Sequence, residues 1–181
     1  MENVSIERQY QDSQEIYSFL LNSKEISYAT YVNEVYKKVL VLSAASYFEK
    51  QIVALILSYA NAVTNIDKRI VTLIEKKALE RQYHTLFNWD ANNTNSFWAL
   101  FGTDTKQKVR EIITSDEVLK EAEKNFLEIG HSRNLLVHNN FAIFNLNMTL
   151  EEIYSQYKSA CKFLDFVESI LNPDFVKKQS S

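Results

Sequence analysis

Apolar residues recur along this chain at steps of three and four, the spacing that lines one face of a helix, rather than in the alternation of a half-buried strand. The pattern predicts about five or six helices. The first runs from about Val4 to Leu21, with Ile6, Tyr10, Ile16, Tyr17 and Leu20 as its apolar members. An unusually long second helix runs from about Lys24 to Asn61. A third, from about Ile66 to Phe87, carries the mixed-charge run DKRIVTLIEKKALER, which reads as a solvated face.

From Asn88 to Thr105 the periodicity fails. The segment NWDANNTNSFWALFGTDT reads as a loop with a short helical turn whose Trp98, Leu100 and Phe101 plug into the core. A short helix follows near Lys106 to Ile113. Thr114-Ser115-Asp116-Glu117 then has the form of a capping box, opening a helix that reaches about His138. The stretch NNFAIFNLN is irregular or weakly extended. Thr149-Leu150-Glu151-Glu152 is a second capping box, and the helix it opens ends near Pro173. No repeat, low-complexity tract or linker interrupts the pattern. The expected organisation is one all-α domain, a helical bundle over residues 1–175, with a frayed tail over 176–181.

Two charges fall on the predicted apolar seams. In the penultimate helix Leu119, Ala122, Phe126 and Ile129 form a buried stripe whose next steps are Arg133 and Leu136. In the second helix Val35, Val39, Leu42 and Ala45 lead to Glu49, and then to Ile52, Ile56 and Tyr59. A lone buried ion costs several kcal/mol, so Glu49 and Arg133 are expected to approach one another, with the two long helices packed side by side. A purely structural ion pair would satisfy the same pattern. His131, Asn134 and His138 fall on a second stripe, at ~100° per residue. Asn134 and His138 are one turn apart and within reach of each other. Arg133 lies ~140° around the axis from His138 and would have to reach around the helix edge to meet it. Helix geometry alone leaves the matter open.

Composition narrows the function classes. Two glycines and one proline (Gly102, Gly130, Pro173) are too few for hairpin-rich or phosphate-loop architectures. The chain has no Walker or Rossmann glycine pattern and no HExxH. A net charge of −3 provides no global basic field, so a polyanion site has to be local. Cys161 is the single cysteine; with His84, His131 and His138 it does not have zinc-site spacing, so neither metal nor cofactor is expected. Val39 to Val63 is long and apolar, but Glu49, Lys50 and Gln51 stand at its centre, which argues for a buried helix rather than a membrane span. No signal peptide is visible, and the expected location is the cytoplasm.

The string Arg133-Asn134-Leu135-Leu136-Val137-His138 resembles the signature of the HEPN superfamily: an Arg, a polar residue, and a His four to six positions after the Arg. Its place on the helix before the last is similar too, behind a long helix with a SYFEKQI segment and an aromatic FWALFG loop. A branch of that superfamily paired with nucleotidyltransferase antitoxins carries Tyr two positions after the His. Here that position is Asn140, followed by Phe141, which points away from that scheme and leaves other antitoxins open.

The resemblance implies a homodimeric, metal-independent endoribonuclease whose two motifs face one another across a composite cleft. Its partners would be RNA, a second copy of itself and an antitoxin or other regulator, and its setting that of a toxin or antiviral defence effector. The 2′-OH of RNA is the nucleophile, and the products are 2′,3′-cyclic phosphate and 5′-hydroxyl ends. His138 suits proton transfer, Arg133 offers a planar fork of donors to phosphoryl oxygens, and Asn134 orients His138 or binds the phosphate. Glu49, His131 and Asn139 are expected in support, Glu49 by aiming Arg133. The alternative is a non-catalytic HEPN-like module that binds RNA or a partner protein through the same cleft.

Overall fold

A computed structural model describes residues 3–64 and 68–172. The N-terminus of α1 (Val4–Asn22) is capped by Asn3, whose side chain accepts from the amide of Ser5. α2 (Ile26–Thr64) is the spine of the molecule. Its buried face runs through Leu40, Val41, Ala44, Phe48 and Ile52, against α1, α7 (Glu117–His138) and α8 (Leu150–Leu171). By length and composition α2 is the one described helix that could cross a membrane; one face of it is buried in the core, while Ile26, Tyr28, Tyr31 and Val63 are exposed. α7 and α8 pack along one another, with Phe126 against Phe163 and Glu128 accepting from Gln156. All elements among the described residues are helical, in keeping with the all-α expectation.

The long third helix of the sequence reading is broken instead. α3 (Lys68–Ile74) passes into a π-helical turn, Glu75–Leu79, and the chain then reverses through Arg81 at φ +60° before the single turn of α4 (Tyr83–Leu86). The π turn is seen in the Glu80 amide donating to the Glu75 carbonyl at 2.7 Å, an i→i+5 bond, whereas Ala78, four residues after Ile74, keeps the α-helical apolar step. The expected start at Ile66, the end at Pro173 and the tail lie outside the described residues.

The aromatic loop does reach the core, through α5 (Asn95–Ala99), but Phe97 and Trp98 are the buried plugs and Phe101 is half-buried. Leu100 points outward, 64% exposed. α6 (Thr103–Ser115) is longer at both ends than expected. Asp116, not Thr114, caps α7: its carboxylate accepts from the amides of Val118 and Leu119, while the Thr114 hydroxyl donates to the Arg110 carbonyl inside α6. The second capping box forms as read, with Thr149 and Glu152 satisfying each other's amides.

A buried charge does sit on the α7 seam, but it is Glu123. One carboxylate oxygen accepts from both the amide and the hydroxyl of Thr94, at 2.8 and 2.7 Å, and the other meets Arg110 at 3.1 Å. The Trp98 indole donates to the same Thr94 hydroxyl. One carboxylate thus ties the aromatic loop, α6 and α7 together. Lys37 and Lys38, both buried, hold the loop between α7 and α8 by donating to the carbonyls of Leu146 and Phe141.

Candidate functional site

α7 ends at His138, and its last two turns form one wall of an open cavity of about 460 Å³. Arg133, Asn134, Val137 and His138 line it from α7, Glu49 from α2, and Arg81, Tyr83 and His84 from the broken segment opposite. Arg133 and His138 therefore share a space although they do not stack on the helix. The guanidinium is half-buried at the edge of the core stripe, whose deeper members are Ile129, Ser132 and Leu136, and its length lets it turn into the cavity. Arg133 Nη1 donates to Asn134 Oδ1 at 3.1 Å, which holds the two polar groups of the motif together. His138 is exposed.

Glu49 and Arg133 reach the same cavity, and α2 and α7 pack together as expected, but no ion pair within 4.0 Å joins the two side chains. The reason is rotational. Phe48, one residue earlier, takes the centre of the α2 core face, which leaves Glu49 half-buried at its edge. Tyr83 lies between their fields: burial holds its phenol well above the ordinary value, the Glu49 carboxylate pushes the same way, and Arg133 opposes both. Tyr83 therefore presents a protonated hydroxyl to the cavity.

The floor of the cavity narrows to a crevice where Ala45, Phe48, Trp89 and Gly130 join the same polar residues. Here the Trp89 ring lies against the bare Cα of Gly130, in space a side chain at 130 would occupy. The Trp89 indole also donates to the His84 carbonyl at 3.1 Å, so the ring that seats on α7 fixes the backbone of the opposite wall.

Two of the residues expected in support lie elsewhere. His131 faces a separate cavity of about 780 Å³, where its Nδ1 is 2.9 Å from Asp90. Asn139 closes the end of α7, its side-chain amide donating to the Leu135 carbonyl at 2.7 Å. Arg81, Tyr83 and His84, by contrast, were not foreseen. They sit at the end of a stretch whose charges read as solvated, and the apolar spacing through Ile74, Ala78 and Leu79 gives no sign that the helix stops before them. Among the described residues no group of three or more His, Cys, Asp or Glu is placed to hold a metal ion.

Residues 8–173 match the family described as RiboL-PSP-HEPN. The chain belongs to the HEPN superfamily. The match takes in every helix from within α1 to α8, so the Arg133–His138 string sits inside a HEPN domain and not in an unrelated helical fold. HEPN membership places the chain among helical modules that cleave or bind RNA. No curated protein and no solved structure matches this HEPN chain.

Proposed function

We propose that this HEPN domain is a metal-independent endoribonuclease that works as a homodimer, held silent by an antitoxin or other regulator until its activity as a toxin or defence effector is needed. The observation that carries the reading is the meeting of Arg133, Asn134 and His138 in one open cavity of a HEPN chain. RNA brings its own nucleophile, so the protein has three tasks: to accept the 2′-OH proton, to donate a proton to the departing 5′-oxygen, and to neutralise charge gathering on the phosphoryl oxygens. His138 serves proton transfer at the cavity mouth. Arg133 bridges phosphoryl oxygens with its fork of donors, and its bond from Nη1 keeps Asn134 beside it. A neutral Tyr83 hydroxyl adds a donor without adding negative charge.

The test is RNA cleavage by His138→Ala in the presence of chelator. His138 is exposed, so the variant is expected to fold. Loss of one acid–base group lowers the rate by about 10²- to 10⁴-fold. End analysis of the wild-type products should give 2′,3′-cyclic phosphate and 5′-hydroxyl termini. Undiminished cleavage by the variant defeats the proposal. Salt-sensitive RNA binding by the wild type without products supports the non-catalytic alternative.

A further inference from the structure

Of the three histidines in the chain, two line the same cavity. His131 is engaged by Asp90 in another cavity. Neither the His84 ring nor the His138 ring has a hydrogen-bond or ion-pair partner among the described residues, so both imidazoles are open to a ligand. His84 reaches both the cavity and the crevice beneath it, across from Arg133.

Its position is built, not incidental. The π turn at Glu75–Leu79 ends α3 early, and Arg81 takes a left-handed conformation that side chains rarely adopt. Together they reverse the chain so that Arg81, Tyr83 and His84 face α7. The Trp89 indole then holds the His84 carbonyl while its ring rests on Gly130, one turn before Arg133 and Asn134. Four uncommon features (a π turn, a left-handed arginine, a glycine-seated indole and an indole-to-carbonyl bond) converge on one short segment. Strained backbone of this kind gathers where a functional side chain must be aimed.

We propose that His84 is a second catalytic residue of this site, so that each chain brings two imidazoles to the scissile phosphodiester; the inference rests on the ribonuclease reading of the cavity. One imidazole accepts the proton of the 2′-OH as the 2′-oxygen bonds to phosphorus. The P–O5′ bond breaks, and the other imidazolium gives its proton to the 5′-oxygen. The step yields a 2′,3′-cyclic phosphate and a 5′-hydroxyl, and exchange with water returns both rings to their starting states. The ionisable groups facing His84 are Arg81 and Tyr83 from its own segment, Glu49 from α2, and Arg133 and His138 from α7. Two guanidiniums thus flank the position of the phosphate.

Two measurements on the whole protein test this. Inorganic phosphate is titrated while the histidine proton NMR signals are followed; the His84 and His138 signals should shift along one binding curve and that of His131 should stay still. In parallel, His84→Gln should lower RNA cleavage by about 10²- to 10⁴-fold and remove one limb of the pH–rate profile. If phosphate moves His138 alone, or His84→Gln cleaves at the wild-type rate with an unchanged pH profile, His84 is not catalytic and the ribonuclease reading stands. A shift of all three signals alike is unspecific and counts against the proposal. A wild-type protein that neither cleaves RNA nor shifts either cavity histidine overturns both readings.

Discussion

The indole of Trp89 lies so close over Gly130 that α7 has no room at that point for a methyl group. The contact joins two walls of the candidate site, because the same indole donates to the carbonyl of His84. A residue with no side chain therefore governs where an imidazole stands.

Gly130→Ala tests that link. Alanine gains about 1 kcal/mol of helix propensity over glycine, whereas overpacking costs about 1–3 kcal/mol. The net expectation is a loss of roughly 1 kcal/mol, read by urea denaturation. The more telling readout is tryptophan fluorescence: an indole displaced from the crevice becomes more solvated, and its emission should move to longer wavelength. RNA cleavage should fall along with it.

Glu123 is the charge on which the fold depends. Glu123→Ala leaves the amide and hydroxyl of Thr94 and the Arg110 guanidinium without their acceptor. Removing one member of a buried pair typically costs ~3–5 kcal/mol. The Arg110 side chain is 34% exposed and regains water, so the expected loss is about 2–3 kcal/mol. Glu123→Gln keeps an oxygen for Thr94 and should cost about 1 kcal/mol. Chemical denaturation of the two variants checks both values and their order.

Arg133→Ala should separate chemistry from stability. With no carboxylate within ion-pair distance and a half-buried side chain, the guanidinium leaves no buried partner orphaned. The change in stability should stay below about 1 kcal/mol, while loss of a donor to the phosphoryl oxygens lowers cleavage by about 10²- to 10³-fold. Arg133→Lys keeps the charge but not the planar fork and should recover only part of the rate. A large fall in thermal stability for Arg133→Ala would show that the residue is structural instead.

Much of this was legible in the one-dimensional pattern. The steps of three and four placed α1, α2, α7 and α8, because long helices with one apolar face are set by local periodicity. The string from Arg133 to His138 could be found because its members are close in sequence and share one helix. Glu123 was not singled out, although it falls four residues after Leu119 and three before Phe126 on the stripe that holds them. A charge on a seam cannot be ranked from sequence. Arg133 and Glu49 looked equally central, and only packing shows that Phe48 takes the middle of its face while Glu49 stays at the rim.

The sequence by itself determined the helical class, the approximate span of the long helices and the residues that could do chemistry, all of which follow from neighbours three and four positions apart. The tertiary structure decided which of those residues meet. Arg81, Tyr83 and His84 lie about fifty residues before the motif, and they reach it through a π turn, a left-handed residue and an indole resting on glycine. The indole seat joins segments about forty residues apart, and the apolar spacing of Ile74, Ala78 and Leu79 runs on through the π turn, so periodicity along the chain carries no record of the break.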